Sequence, residues 1–244
     1  MSDRASLPHA LGSARYQPYL DAADGDEALA VDLYLWGTEL AGAWHSHLSF
    51  IEVLVRNSID CRLKIWNTTQ NHNGIALQPQ WTSANGTGKT LYSLIGKGIE
   101  KAREAAKDEA RWRHPTHPRH AVIPTHDDIV AQLTFGAWSR LLRFPGKSKF
   151  VSDQRTLWEE SLKYAFPHIS QDNSGLFRVG EQMERLRILR NRVAHHENLL
   201  QVNTTARLDS SLALLASIDQ DYPDLVMARN SLRRLTREDP RRAG

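Results

Sequence analysis

The fold is decided by the stretch LYLWGTELAGAWHSHLSFIEVLVRNSIDCRLKIW, residues 33–66. Large apolar residues recur in it every three or four positions, which is the spacing of one face of an α-helix. These positions are Leu33, Trp36, Leu40, Trp44, Leu48, Ile51, Val55, Ile59, Leu63 and Trp66. The pattern predicts one long amphipathic helix, with a kink expected near Gly37 or Gly42.

Helical spacing continues on both sides of this stretch. A short helix fits Ala14–Ala22, and the turn Asp24-Gly25-Asp26 separates it from the long helix. Further helices fit Thr90–Arg113, Thr125–Leu142, Asp153–Ala165, Gly175–His196, Thr204–Ile218 and Asp224–Arg237. Strand-like alternation is nearly absent, so the fold class is all-α.

Two segments are predicted to be loops. Residues 68–85 are rich in Asn, Thr, Gln, Gly and Pro, and residues 115–124 hold three prolines that oppose a continuing helix. The sequence therefore predicts one all-α domain over residues 1–244, a helical bundle with additional helices. Residues 1–23 would form an N-terminal helical extension, residues 114–125 a long Pro/His-rich loop, and residues 238–244 a flexible tail.

The composition is that of an ordinary globular protein, with 41% hydrophobic and 24% charged residues. No apolar run reaches the roughly 20 residues that span a bilayer, and the first residues lack the apolar core of a signal peptide. The single cysteine, Cys61, excludes an internal disulfide framework and a multi-cysteine zinc site. These features predict a cytoplasmic protein with no membrane partner. The net charge of +3 favours a polyanionic partner only mildly.

The densest group of chemically useful side chains lies at the end of the predicted helix Gly175–His196. It is the run Arg187-Ile-Leu-Arg190-Asn191-Arg192-Val-Ala-His195-His196-Glu197. Asn191 and His195 project within about 40° of each other, whereas Arg190 lies about 140° around the helix from His195. Only the long stem of Arg190, or a distortion of the helix, brings its guanidinium near the imidazole. The alternative explanation is a basic helix end that complements the helix dipole.

This run resembles the motif of the HEPN superfamily of α-helical ribonucleases. The matching residues are Arg190-Asn191-Arg-Val-Ala-His195, an arginine and a polar residue followed by three residues and a histidine. The continuation into His196-Glu197 resembles the Abi-like branch, whose members are linked to abortive phage infection in bacteria. Two earlier segments, in the expected order, resemble further elements of the same branch: Phe50-Ile-Glu52-Val-Leu-Val-Arg56-Asn57 and Leu133-Thr-Phe-Gly136-Ala-Trp138.

The resemblance implies a HEPN-like helical bundle and an endoribonuclease of anti-phage or toxin type that needs no metal and no cofactor. Its expected catalytic residues are Arg190, Asn191 and His195. Glu52, Arg56, Asn57 and His196 would support them, although Glu52 and Arg56 also fit an ordinary i,i+4 ion pair. Leu133–Trp138 is assigned to helix packing. The implied partners are RNA, a second copy of the chain in a homodimer or higher oligomer, and an inhibitory antitoxin or a phage trigger.

Cleavage of RNA without a metal requires a base for the ribose 2′-OH, an acid for the leaving 5′-oxygen and a group that stabilises the phosphorane. Histidine suits the proton steps because its unperturbed pKa is about 6.5. Arginine suits the phosphate because its planar fork forms charge-assisted bidentate bonds. One chain supplies one such histidine, His195, so a symmetric dimer is expected to complete the site.

Two other classes of function remain open in the sequence. In one, the same helix grips RNA or a protein partner without cleaving anything. In the other, the chain is a toxin, neutralised by an antitoxin, whose target is not RNA. Intact Arg190 and His195 favour the ribonuclease, because a binding module does not need the imidazole.

Three further motifs are weaker. The segment Asn85-Gly-Thr-Gly-Lys-Thr90 resembles the end of a phosphate-binding loop, but the first glycine of that motif is replaced by Ser83. The histidines at 114, 117, 120 and 126 have a spacing that metal ligands could use, yet a Pro-rich loop is expected to expose them. RNA contacts are also expected at Arg187 and Arg192, and in a loop in which Trp112 stands between Arg111 and Arg113.

Overall fold

The computed structural model describes residues 7–142 and 150–242, and over these residues the chain is mostly helical. The described residues form eleven α-helices. They are α1 (Leu7–Leu11), α2 (Ser13–Ala22), α3 (Glu27–Asn67), α4 (Lys89–Trp112), α5 (His126–Ala131), α6 (Phe135–Arg140), α7 (Val151–Glu160), α8 (Asn173–Ala194), α9 (Thr204–Ile218), α10 (Tyr222–Met227) and α11 (Leu232–Arg237). The predicted all-α class is confirmed. Within the described residues, no helix combines the length and apolarity needed to cross a membrane.

The chain divides into two compact units. The first unit comprises Met1–Ile51, Ile188–Ala213 and Asp221–Gly244. The second comprises Glu52–Arg187 and Leu214–Gln220. The chain passes from one unit to the other inside α3, α8 and α9, so no linker or change in composition marks the division in the sequence.

Helix α3 begins and ends within a few residues of the predicted positions and is continuous through Gly37 and Gly42. Asp24 and Gly25 adopt left-handed conformations before it. The Asp26 carboxylate then accepts the free amides of Ala28 and Leu29 at 2.8 and 3.0 Å. Nine of the ten apolar positions of the stripe are buried, and Trp36 is half-buried. The apolar periodicity was therefore a reliable guide to the buried face.

In the first unit, the N-terminal part of α3 packs with α2 and with the segment after α8. Tyr16, Tyr19, Val31, Leu33 and Leu200 belong to one buried apolar cluster. The segment 238–244, predicted to be a flexible tail, forms a 3₁₀ turn at Pro240–Arg242, where Arg241 pairs with Asp239 at 2.7 Å and lies over the Trp36 ring. Residues 1–6 and 243–244 lie outside the described residues.

In the second unit, α4 packs against α5, α6 and α7. The single helix predicted over Thr125–Leu142 is wrong, because α5 and α6 are separate helices. Thr125 caps α5 in a capping box with Asp128, and Thr134 caps α6 by accepting a hydrogen bond from the amide of Ala137. The apolar residues of that segment, Ile129, Leu133, Trp138 and Leu141, are buried.

Three more boundaries differ from the prediction. A 3₁₀ turn at Leu162–Ala165 follows α7, and α10 and α11 replace the single helix over Asp224–Arg237. A two-stranded hairpin, β1 (Asn71–His72) and β2 (Ile75–Ala76), forms inside the predicted loop. Asn73 and Gly74 both have positive φ angles in its turn, which is the Asn-Gly geometry of tight hairpins.

His47 is fully buried in the first unit and holds three elements together. Its Nε2 donates to the Ser211 hydroxyl at 2.8 Å, because that hydroxyl itself donates to the carbonyl of Leu208. Its Nδ1 accepts from the side-chain amide of Asn230 at 3.2 Å. Burial lowers the pKa of His47 from 6.5 to about 4. The ring is therefore neutral in the folded protein at physiological pH.

This lowered pKa predicts a loss of stability in mild acid. Between pH 6.5 and 4 the unfolded chain takes up a proton at His47 that the folded chain refuses, so the free energy of unfolding falls as the pH falls. From pH 7 to pH 5 this residue accounts for a loss of about 2 kcal/mol. Urea denaturation at both pH values measures this loss. His47→Gln is expected to flatten the pH dependence, whereas His45→Gln, at an exposed position, keeps it. Equal pH dependence in wild type and His47→Gln would contradict the prediction.

Candidate functional site

Helix α8 ends two residues before the predicted position, in a tight turn. The amide of Glu197 donates to the carbonyl of Arg192 at 2.9 Å, and that of His196 to the carbonyl of Val193 at 3.2 Å. This pair of bonds is a Schellman motif, which closes a helix through a residue in the left-handed conformation. His196 is that residue, with φ of 53°. The two histidines of the motif therefore follow α8 and are held by its terminal hydrogen bonds.

Arg192 folds back onto this turn. Its guanidinium donates to the carbonyl of Asn198 at 3.0 Å and pairs with the Glu197 carboxylate at 3.4 Å. The neighbouring Leu189 and Val193 are buried and anchor this end of α8 in the core of the first unit. Arg192, which the sequence analysis expected to contact RNA, is thus already engaged by its own chain.

Arg190, Asn191 and His195 are the residues of the motif that face outward. Arg190 and His195 are exposed, and Asn191 is half-buried. The amide of His195 donates to the carbonyl of Asn191 at 2.9 Å, which fixes the backbone of the two residues in one helical turn. Within residues 7–142 and 150–242, neither Arg190 nor His195 has a side-chain hydrogen bond or ion pair. Both side chains are therefore free to engage a ligand.

The first unit also contains a cleft of about 770 Å³ beside this turn. Arg192, His196 and Glu197 line it on the α8 side, whereas Arg190, Asn191 and His195 are not among its lining residues. Two basic residues that the sequence analysis missed, Arg15 of α2 and His45 of α3, line it as well. The row Gly37, Ala41 and His45, spaced by four residues, is the one sequence signal that could have pointed to His45.

The expected supporting residues Glu52, Arg56 and Asn57 belong to the second unit. Glu52 and Arg56 are half-buried, and Asn57 is exposed. The Nε of Arg56 donates to the side-chain oxygen of Asn57 at 3.4 Å. Their role in orienting a catalytic site stays a prediction.

The remaining expected RNA contacts are in the second unit, and their charges are largely compensated. Arg187 donates two bonds to Glu184, at 2.6 and 2.7 Å, and these bonds hold the pKa of the Glu184 carboxyl below its usual value. Arg111 pairs with Asp108 at 3.5 Å and Arg113 with Glu109 at 2.7 Å. Trp112 is 87% exposed. The ring is thus the most accessible member of this group.

The loop histidines serve local turns. Nδ1 of His114 bonds with the hydroxyl of Thr116 at 2.8 Å. Nδ1 of His117 accepts a hydrogen bond from the amide of Arg119 at 3.1 Å, and Nδ1 of His120 donates to the carbonyl of Arg113 at 2.7 Å.

The backbone of the glycine-rich segment that resembles a phosphate-binding loop forms hydrogen bonds within the protein. The amide of Gly88 donates to the buried side chain of Asn67 at 2.9 Å, and the carbonyl of Gly86 accepts from the same side chain at 2.8 Å. Asn67 thus holds the segment in place of a phosphate.

A buried polar network in the second unit centres on Asp60, which the sequence analysis missed. One carboxylate oxygen accepts from Trp81 and from His126, both at 2.9 Å, and the other pairs with Lys64 at 2.8 Å. Burial raises the pKa of Asp60, but the bonds from His126 and Lys64 lower it by more. The pKa of Asp60 is therefore below its usual value. The other nitrogen of His126 bonds with the buried Thr82 hydroxyl at 2.9 Å.

Among the described residues, Asp60, His126 and Asp127 are the one trio whose ligand atoms are close enough to share a metal ion. Lys64 lies between the two carboxylates, 2.8 Å from Asp60 and 3.4 Å from Asp127. The ammonium group therefore supplies the positive charge that a metal would bring. We assign the network to the stability of the second unit.

The structure thus sorts the predicted site residues by what their side chains contact. Arg190, His195 and Trp112 are exposed without side-chain partners in the described part of the chain, whereas Arg187, Arg192, Arg111 and Arg113 are held by acidic or carbonyl groups nearby. No family model matches the sequence, and neither the curated proteins nor the solved structures contain a protein that matches it.

Removal of the Asp60 carboxylate is expected to destabilise the protein strongly. Asp60→Ala leaves the buried Trp81 and His126 donors without an acceptor and should lower the free energy of unfolding by about 3 kcal/mol. Asp127→Ala removes the exposed end of the same cluster and should change it by less than about 0.5 kcal/mol. Urea denaturation at pH 7 compares the two variants, and equal losses would show that Asp60 is not the centre of the network.

Proposed function

We propose that this chain is a metal-independent endoribonuclease that resembles the Abi-like branch of the HEPN superfamily in its motif. The observation that carries the proposal is the contrast along α8. Arg185, Arg187 and Arg192 each pair with a neighbouring carboxylate. Arg178 and Arg190 are exposed and have no such partner among the described residues, and of these two only Arg190 belongs to the motif that ends at His195. An uncompensated guanidinium five residues before an exposed imidazole suits a phosphodiester, because the guanidinium can bind the phosphate and the imidazole can move a proton.

The chemistry assigned to these residues is transesterification within the RNA strand. His195 accepts the proton of the ribose 2′-OH as its oxygen bonds to the adjacent phosphorus, and the bond from phosphorus to the 5′-oxygen breaks. A second imidazole donates a proton to that leaving oxygen. Arg190 stabilises the negative charge on the phosphorane, and Asn191, half-buried on the face of His195, orients the ring or a phosphate oxygen. The products are a 2′,3′-cyclic phosphate and a 5′-hydroxyl.

A homodimer would supply the second imidazole. Ile188, Asn191 and His195 are spaced by three and four residues and so lie on one face of the helix end. Ile188 is 48% exposed, which places a large apolar side chain in solvent beside the proposed catalytic face. A two-fold contact through this face would bury Ile188 and bring two copies of His195 towards one cleft. The proposal also includes a partner that controls the enzyme, either an inhibitory antitoxin or a phage trigger.

The catalytic assignment predicts cleavage that depends on two side chains and survives chelation. Purified protein in EDTA should cut RNA into fragments with 2′,3′-cyclic phosphate ends. His195→Ala should reduce the rate at least about a hundredfold, and Arg190→Lys should also be strongly impaired because an ammonium group lacks the planar fork. Arg185→Lys, whose guanidinium is paired with Glu181 on the same helix, is the matched control and should keep full activity.

Three results would contradict the assignment. Cleavage that stops in EDTA would remove the metal-independent mechanism, and an active His195→Ala protein would remove the motif as its site. RNA that is bound but stays whole would instead indicate a non-catalytic RNA-binding module.

The dimer assignment predicts a matching loss of self-association. Ile188→Glu would place two like charges across the two-fold contact and should weaken dimerisation about a hundredfold or more, with loss of RNA cleavage. Leu225→Glu, at an apolar position of α10 that is 59% exposed, should change neither. Analytical ultracentrifugation over a concentration series measures the dimerisation of both variants, and the cleavage assay in EDTA measures their activity. A wild-type protein that is monomeric while fully active would overturn the dimeric site.

A further inference from the structure

The cleft beside the end of α8 has the dimensions and shape of a small-ligand site. Its volume of about 770 Å³ falls within the range that small-molecule sites occupy, roughly 300–1,000 Å³. Three segments of the first unit form its walls, namely α2, the N-terminal half of α3 and the turn after α8. All of its lining residues belong to the first unit, so one compact unit contains the whole cleft.

Small residues on α3 create the space. Gly37, Ala41 and Gly42 line the cleft, next to the buried apolar stripe of the same helix. A Cβ atom built on Gly42 meets nothing within 4 Å, so this position faces open space. At Gly37 a Cβ atom would lie 3.5 Å from the Tyr19 ring, an ordinary van der Waals distance, so Tyr19 forms the neighbouring wall at this position. Tyr34 meets Tyr19 edge-to-face at 5.3 Å and is half-buried on the same wall.

Basic side chains from three different segments converge on this space. Arg15 comes from α2, His45 from α3, and Arg192 and His196 from the end of α8. Arg15 and His45 are exposed and have no side-chain hydrogen bond or ion pair to any residue in the described ranges. The carboxylate of Glu197, the one acidic residue among the described residues that line the cleft, pairs with Arg192 and with no other of these basic residues. The unpaired donors of Arg15 and His45 suit a phosphate, and the tyrosine on the wall suits an aromatic ring. The cleft therefore fits a ligand that carries both groups.

The backbone of His196 supplies an independent observation. The left-handed position of a Schellman motif normally holds glycine, because any Cβ atom is disfavoured there. This chain places an imidazole at that position, and the imidazole lines the cleft. Non-glycine residues in this conformation are found at binding sites more often than elsewhere, which makes His196 a candidate ligand contact.

We propose that the cleft binds a nucleoside monophosphate group, with the phosphate held by Arg15, His45 and His196 and the base against Tyr34. This group is either a free nucleotide or one nucleotide of an RNA strand. The second source rests on the proposed ribonuclease function, because the strand would then run from the cleft to His195. His45 and Arg15 act in binding and are distinct from the residues assigned to the cleavage step.

Isothermal titration calorimetry of the full-length His195→Ala protein with adenosine monophosphate tests the site without cleavage. Saturable one-to-one binding is expected, and Arg15→Gln and His45→Gln should each weaken it about tenfold or more, because each removes a donor to the phosphate. Arg237→Gln and His9→Gln, exposed positions of the first unit outside the cleft, are the matched controls. No saturable binding, or binding unchanged by the two cleft variants, would overturn the proposal.

His196→Gly separates backbone preference from ligand binding. The variant should raise the midpoint of thermal unfolding, because glycine adopts the left-handed conformation without strain, and should also weaken nucleotide binding. A variant that is more stable and binds with unchanged affinity would remove His196 from the site.

A 2′-O-methyl RNA pentamer, which has no 2′-OH to attack, distinguishes the two sources of the ligand. Competition between pentamer and adenosine monophosphate, with both weakened by Arg15→Gln, supports a nucleotide of RNA. Binding of the mononucleotide alone supports a free nucleotide. Cleavage that persists in His195→Ala would reject the ribonuclease assignment while leaving the mononucleotide result intact, so the two proposals fail independently.

Discussion

The constraint on which the rest of the structure depends is the burial of one face of α3 along its 41 residues. Each large apolar side chain of the stripe contributes about 2 kcal/mol when it leaves water. In the first unit this requirement brings α2 and Leu200 around Val31 and Leu33. In the second unit it places two polar residues, Asp60 and Asn67, inside the protein, where each needs partners.

Those two polar residues show how burial organises a loop-rich region. Asn67 satisfies its side chain with backbone groups of Gln78, Gly86 and Gly88, and so ties down the segment that leads into α4. Asp60 is satisfied by Trp81, His126 and Lys64, which fixes the start of α5. Both groups resemble functional motifs when seen as residue types alone. Their donors and acceptors are already paired in structural hydrogen bonds, which argues against assigning a phosphate or metal site from residue types alone.

At the end of α8 the backbone is held in place, but two side chains of the motif have no partner in the described part of the chain. Leu189 and Val193 anchor the helix, and the Schellman bonds close it, so the backbone at His195 and His196 is well supported. Arg190 and His195 nevertheless keep exposed side chains without partners among the described residues. A rigid support beneath unengaged charged groups is the arrangement that binding and catalytic sites require. This contrast, more than the residue types, supports the proposed site.

The sequence by itself determined the all-α class, the buried stripe of α3, the turn before it and the helix that carries Arg190 and His195, because these depend on local periodicity and capping. It did not reveal the breaks between α5 and α6 or between α10 and α11, since apolar spacing continues across them. Only the tertiary structure decided that His45 and Arg15 share a cleft with His196, that Asp60 meets His126, and that Arg187 and Arg192 are already paired. These contacts join residues that are distant in the sequence or depend on side-chain direction, which periodicity does not encode.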